Sequence, residues 1–406
     1  MPNTPTAPRA LVIGGSLGGL VAGLLLRRAG WNVTIFERTG QELSGRGAGI
    51  VTHRELWNVM SLAGIDPSRQ DGVDVAERVI LAPDGSVVAH CDFAQTMTSW
   101  DRLFGMLRDL WGQDDYQLGR ELAGFQQDSD GVIAHFTDGS SIKADLLVGA
   151  DGFRSTIRTL AFPDRQPLYA GYVGWRGMVD EADIPPSVHH GLFLKMAFCL
   201  VPGEQMVGYP VAGDNLDLRP GHRRYNYVWY RPVDEAKGLP DLLTDSAGHT
   251  HAMSIPPPLI RPELIASMRA DAERLLAPQF ATLVRATKAP FLQPIYDFEA
   301  TAIGFGHVAL IGDAAFIARP HIGAGVTKAA EDALALVRAL QESADIPTAL
   351  ARYNAERLPA GRAIVQRARH LGAYMQAHLA TDEEREAARR HHSAEAVMAE
   401  TATLNF

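Results

Sequence analysis

Four glycines fall within six residues, Gly14, Gly15, Gly18 and Gly19, and a carboxylate follows at Glu37. Glycine lets a backbone approach a ligand closely, and free N–H groups at the start of a helix attract phosphate. A carboxylate about twenty residues further on accepts hydrogen bonds from a ribose. Ser16 stands at the third place of the usual G-x-G-x-x-G, so a small hydroxyl sits beside Leu17 where the chain must meet the phosphate. Arg38 adds a cation next to Glu37. This spacing points to dinucleotide binding.

Further chemistry-bearing residues follow in order. Gly45-Arg46-Gly47-Ala48-Gly49 is a glycine-rich loop carrying one cation, suited to a flat ring or its phosphates. Asp151 and Asp313 each end an apolar strand, the first within Asp145 to Arg158 and the second His307 to Asp313, where a buried carboxylate needs partners. Gly152, Arg154, Ser155 and Arg158 surround the first, and Gly312 precedes the second. Pro320, Gly323 and Gly325 lead into a helix at Val326, whose N-terminus stabilises negative charge. His53 and His321 are the candidate bases, and Tyr209, Tyr225 and Tyr230 are candidates for orienting a polar ring. His189 with His190, His249 with His251 and His391 with His392 lack ligands at zinc spacing and read as surface residues, so no metal is expected.

The elements that must position these groups are readable from pattern. Ala10 to Ile13 is the continuous apolar run of a strand buried on both faces. Leu20 to Arg28 continues as a helix capped at Gly30, and Asn32 to Glu37 is a second strand. Turns at Asp84-Gly85 and Asp138-Gly139 predict two hairpins. From about Gln166 to Pro290 aromatic alternation replaces helical periodicity and predicts an antiparallel sheet. There Tyr225, Tyr227 and Trp229 share one face, and Asn226, Val228 and Tyr230 the other. Arg261 to Leu276 and Val326 to Leu340 read as helices. Ala351 to Leu379 reads as helical but interrupted at Pro359, and Thr381 to Phe406 as peripheral.

Bulk properties bound the partners. The chain has 406 residues, enough for two domains, and a net charge of −9, which argues against a nucleic-acid surface. Only Cys91 and Cys199 occur, which suits a reducing cytoplasm and excludes a disulfide framework. Met1 to Pro8 reads as a polar tail rather than a signal peptide, and no apolar run reaches membrane-spanning length.

Taken together, Gly14 to Glu37, Asp145 to Arg158 and Gly312 to Asp332 resemble the single-component FAD-dependent aromatic hydroxylases, the family typified by para-hydroxybenzoate hydroxylase. Gly45 to Ile50, Asn226 to Arg231 and Gly312 to His321 are similar to the subgroup acting on dihydroxypyridines. The resemblance implies an α/β fold: a Rossmann-like, glutathione-reductase-like FAD-binding domain with an inserted antiparallel-sheet substrate domain. The expected division is 1–75, 98–165 and 291–345 for FAD binding, 76–97 and 166–290 for substrate, and 346–406 for C-terminal helices. It further implies NADH or NADPH as electron donor, O2 as oxidant, a flavin C4a-hydroperoxide, and a small hydroxylated aromatic or heteroaromatic substrate, with 3-hydroxylation of 2,6-dihydroxypyridine as the leading expectation. A homodimer is the candidate assembly.

The implied cofactor contacts are Gly14, Gly15, Ser16, Leu17, Gly18, Gly19, Glu37, Arg38, Arg46, Gly47, Asp151, Gly152, Arg154, Gly312, Asp313, Pro320, Gly323, Gly325 and Val326. Phe316, Ala324, Thr327 and Trp100 stand where the family usually has His, Gln, Asn and Arg. Alternatives are a hydroxylase of another phenolic or heterocyclic ring, a non-hydroxylating FAD oxidoreductase, and a flavin-binding module without turnover. The W-x-W-x-I-P signature of flavin halogenases is absent.

Overall fold

The structure is a computed structural model and describes residues 7–43, 49–66, 68 and 72–404. Its first layer grows from the apolar run at the N-terminus. Strand Arg9–Ile13 pairs in parallel with Asn32–Glu37 on one side and Leu146–Gly149 on the other. Val308–Leu310 adds beyond Leu146–Gly149, and Tyr116–Leu118 beyond Asn32–Glu37, both parallel. Parallel strands need helical crossovers, which cover both faces and keep Leu11, Val12, Leu147 and Ala309 fully buried. The helix Leu17–Arg28 packs against the helix Gly325–Gln341. Gly14 has a φ of 107°, and a side chain there would strike the carbonyl of Ala150. At Gly19 a side chain would strike the carbonyl of Gly14. These two contacts let the first helix leave the strand at a sharp angle and stay close to it.

Because the central strands are parallel, their carboxyl ends lie on one edge. Gly14, Glu37, Asp151 and Asp313 follow or end four of them, so the candidate residues converge on the crevice where open α/β sheets bind ligands.

The second layer is a nine-stranded sheet. Its order is Phe316–Ile317, Phe291–Glu299, Leu168–Asp180, Arg224–Pro232, Glu204–Val211, Lys195–Val201, Val73–Leu81, Val87–Ser99 and Gly49–Val51. Only Lys195–Val201 with Val73–Leu81 is parallel. The sheet is wider than the expected boundaries: Gly49–Val51 joins it from residues assigned to the first FAD-binding part, and Phe291–Glu299 with Phe316–Ile317 from the third. The runs Gly49–Val51 and Phe316–Ile317 are too short to show alternation. The expected alternation organises the rest. Trp175, Trp229 and Met206 lie opposite one another and bury against Met268, Phe280 and Val284 of two helices, Pro262–Leu275 and Pro278–Ala286. Arg176, Val228 and Val207 form a neighbouring row on the other face, and Tyr230 lies opposite Gln205. That face turns toward the parallel sheet.

Two expectations for the C-terminal third need correction. The helix Ile346–Gly372 runs unbroken through Pro359. One proline removes one backbone bond, and burial of Tyr353, Ile364, Val365 and Ala368 holds the turns on either side. Tyr353 also donates to the carbonyl of Leu310 at 2.8 Å. The segment from Thr381 is not peripheral. It forms the helices Asp382–His391 and Ala394–Glu400, the first with a capping box between Thr381 and Glu384. Thr401, Ala402 and Thr403 are then buried. His391, read as a surface residue, is 3% exposed and bonded to Glu400. Among the described residues no helix is long and apolar enough to cross a membrane.

Candidate active site

Two cavities, each of about 310 Å³, lie along the carboxyl edge of the parallel sheet. The first is bounded by Gly14, Ser16, Glu37, Arg38, Asp151, Gly152 and Arg154. Glu37 is buried there. One of its oxygens accepts from Gly15 N at 2.9 Å, and the other from Thr39 N and Oγ1 at 3.0 and 2.9 Å. Tyr116 donates to the carbonyl of Gly15 at 2.8 Å. The backbone of Gly15 is therefore taken up by the protein and braces the turn, with no N–H left for a phosphate. Leu20 N bonds Ser16 O as the helix begins, and the N–H groups of the preceding turn point out of the helix end.

Asp151 accepts from Thr156 N at 2.7 Å and Ile157 N at 3.2 Å through one oxygen. Its other oxygen is buried without a hydrogen-bond partner among the described residues, and burial raises its pKa. Arg158, which its sequence position places beside this carboxylate, attracts it through charge without a hydrogen bond to it. Its hydrogen bonds go to the carbonyls of Asp313 at 3.0 Å and Phe153 at 2.6 Å, tying the two aspartate loops together. Arg154 lines this cavity and donates to Ser254 of a neighbouring cleft.

The second cavity lies between the segment Ala318–Val326 and the polar face of the large sheet. The helix Gly325–Gln341 aims its N-terminus at it through Ala324, Gly325 and Val326. Gly312 precedes Asp313, and its N–H donates to the fully buried Asp332 at 3.0 Å. Asp313 reaches the cavity edge half-exposed and pairs with Lys328 at 3.0 Å. Lys328 is buried and also donates to the carbonyl of Phe316. The Phe316 side chain points away, against Gly361. Lys328 has no motif around it, and one lysine on an amphipathic helix reads as solvent-facing.

The sequence candidates divide here. His321 and Tyr230 line the second cavity. Tyr209 lines it too, but its hydroxyl donates to Gly49 O at 3.0 Å and fixes the edge strand. Tyr225 is on the opposite face, in the core behind the sheet, because it is one residue out of phase with Asn226. His53 lies outside both cavities, in a surface cleft with Asp74 and Phe93, with its Nε2 3.2 Å from Gly323 O. Desolvation lowers its pKa. Arg46 and Gly47 lie outside the described residues.

His321 is fully enclosed. Its Nε2 is 2.7 Å from the Tyr172 hydroxyl, and its Nδ1 is buried without a partner. Burial, aided by Arg319, pushes its pKa down to about 3. A ring held neutral this firmly donates or accepts a hydrogen bond but is a poor proton acceptor. The sequence reading missed Arg176, Gln205 and Gln293, which also line this cavity. Their signal is their place in the alternation, on the face of Tyr230.

These residues fit FAD. One cavity offers a glycine turn, a helix N-terminus and an unsatisfied aspartate oxygen for an adenosine diphosphate half. The other offers a second helix N-terminus and space for a ring system. No side chain at Gly325 would meet anything within 4 Å.

Known proteins agree. The FAD binding domain-like family matches residues 169–297, and the FAD binding domain family residues 268–368. A 2,6-dihydroxypyridine 3-monooxygenase of Paenarthrobacter nicotinovorans is 33% identical over 92% of this chain and 93% of its own. The structure of 2,6-dihydroxypyridine-3-hydroxylase from Arthrobacter nicotinovorans matches with a TM-score of 0.85 and 31% identity, covering 92% of this chain and 94% of that one. Klebsiella pneumoniae HpxO, solved with FAD and uric acid, matches with a TM-score of 0.75 and 25% identity over 97% and 93%. With both halves of an FAD site on one sheet edge and relatives of this kind along nearly its whole length, the chain belongs to the FAD-dependent aromatic monooxygenases.

Proposed function

We propose that this chain hydroxylates a small, electron-rich, hydroxylated heteroaromatic ring, with 2,6-dihydroxypyridine at its 3-position as the leading substrate. The observation that carries the reading is the second cavity. It runs from the N-terminus of the helix Gly325–Gln341 onto a sheet face bearing Arg176, Gln205, Tyr230 and Gln293.

In this reading Gly14, Ser16, Leu17, Gly18 and Gly19 hold the pyrophosphate, and Glu37, Arg38, Asp151 and Gly152 the adenosine side. Asp313 binds the chain linking phosphate to flavin. Pro320, Gly323, Gly325 and Val326 present backbone to the flavin ring. Bound FAD, reduced by NADH or NADPH, supplies the activated oxygen from O2. The protein's own contribution is placement and exclusion of water. The N–H groups at the start of the helix Gly325–Gln341 stabilise negative charge on the flavin. Val207, Val228, Ile295 and Ile317 give the cavity apolar walls, which keep bulk water from the reactive oxygen. Gln205 Nε2 and His321 Nδ1, both buried without partners, fix the orientation of a ring that carries oxygen substituents.

Aerobic oxidation of NADH and NADPH by the FAD-loaded protein tests this, run with a panel of hydroxypyridines and hydroxybenzoates and product followed by mass. The expected result is strong stimulation by 2,6-dihydroxypyridine with one oxygen gained. Stimulation by another ring moves the substrate. Absence of stimulation by every ring rejects the hydroxylase reading.

A further inference from the structure

We propose that Arg176 selects the substrate by binding an anionic oxygen carried on the aromatic ring. The inference rests on the second cavity being the substrate site and goes beyond it by naming the charge state the site requires.

Arg176 stands mid-strand, opposite Val228 on one neighbour and Phe291 on the other, with its side chain on the cavity face. One terminal nitrogen donates to Gln293 Oε1 at 2.8 Å, which orients the guanidinium. Its Nε is buried and, among the described residues, has no hydrogen-bond partner. The other arginine of the cavity wall is already committed: Arg319 donates to Asp297 at 2.9 Å and to Gln376 at 2.6 Å. Among the described residues Asp313 is the one carboxylate lining the cavity, and Lys328 answers it. The sheet end of the cavity therefore holds a cation, and no protein anion on the wall pairs with it.

A buried guanidinium donor left unpaired is costly, and its planar fork matches an oxyanion. Gln205 Nε2 adds a second unpartnered donor on the same face. A ring oxyanion or a ring carboxylate completes this set. A ring whose oxygens are blocked as ethers leaves Arg176 unpaired and is rejected, since sites built for a charged partner discriminate strongly against analogues lacking it.

The test uses the FAD-loaded protein, with ligand binding followed by perturbation of the flavin absorbance. The probes are 2,6-dihydroxypyridine, a hydroxybenzoate, and 2,6-dimethoxypyridine, which cannot form the oxyanion. Wild type is expected to bind an ionisable ring at least tenfold more tightly than the dimethoxy ring. Arg176→Met is expected to weaken ionisable rings by about 10- to 100-fold and to move the dimethoxy ring less than threefold. Arg176→Lys should recover part of the loss, with FAD content and melting temperature close to wild type in both variants. A preference for dihydroxypyridine assigns a ring oxyanion, and a preference for hydroxybenzoate a carboxylate. Equal losses for neutral and ionisable rings, or no loss, overturn the role of Arg176. Failure of wild type to bind any ring overturns the substrate site itself.

Discussion

At the scale of single residues, buried charge decides what the site tolerates. Lys328 is enclosed, and its partner Asp313 is half-exposed at the cavity edge. Removing Asp313 leaves a buried ammonium answered, among the described residues, by one carbonyl, so Asp313→Ala should destabilise the protein by roughly 3 kcal/mol and lose FAD. The double variant Asp313→Ala with Lys328→Met should recover the melting temperature without recovering FAD. Thermal melts and flavin content after gel filtration separate the two effects, and tight FAD in Asp313→Ala would reject the assignment of that carboxylate. His321 gives a second prediction. Its pKa is depressed to about 3 in the folded protein, against about 6.5 unfolded. The unfolded chain takes up the proton first, so stability falls as pH drops below 6.5, by at most about 1.4 kcal/mol per pH unit, and levels off near 3. His321→Gln should flatten that part of the curve. It should also leave the pH profile of kcat/KM near neutrality unchanged, because a ring already neutral there does not titrate.

At the scale of elements, legibility follows from how many residues carry each signal. The parallel strands Arg9–Ile13, Asn32–Glu37, Leu146–Gly149 and Val308–Leu310 are plain in the sequence because buried apolar runs lead into glycine or a carboxylate, whereas Tyr116–Leu118 is too short and polar to show, and the faces of Tyr225–Trp229 follow from strict alternation. Arg176 and Gln205 are not, since a lone polar residue on an alternating strand looks the same facing water or a cavity. The segment after Glu400 is harder still, because its partners are far away in sequence. Arg78, fully buried on Val73–Leu81, donates to the carbonyls of Met398 and Thr401, the latter at 2.8 Å. Gln95 donates to Ala402 O at 3.2 Å, and Ala402 N donates to His321 O at 2.7 Å. Thr401 and Ala402 thereby become part of the cavity wall. Burial drops the Arg78 pKa to about 10, still charged at neutral pH. Arg78→Met removes the clamp and orphans two buried carbonyls, so it should cost about 2–4 kcal/mol. It should also raise the share of NAD(P)H that ends as H2O2 rather than product. Unchanged coupling in a folded, FAD-loaded variant would show that the segment is a structural prop only.

At the scale of the whole molecule, FAD lying in both cavities would join the two layers, because the second cavity is built from both. The first cavity is built almost wholly on the parallel sheet and its loops, and the second needs both that sheet's last loop and the polar face of the nine-stranded sheet. A ligand that fills both stabilises contacts between layers as well as within one. ADP should therefore stabilise the apoprotein, and at the same multiple of its dissociation constant by the same free energy as FAD. The bound-state term alone is about 2.7 kcal/mol at a hundredfold excess for either ligand. What distinguishes them is the unfolding profile: ADP should raise the melting of the parallel-sheet layer and leave the large sheet opening at its apoprotein temperature, whereas FAD should merge both into one cooperative transition. Calorimetry of the apoprotein with each ligand reads this directly. Identical single transitions with ADP and FAD would mean that the interface between the layers is complete without the flavin.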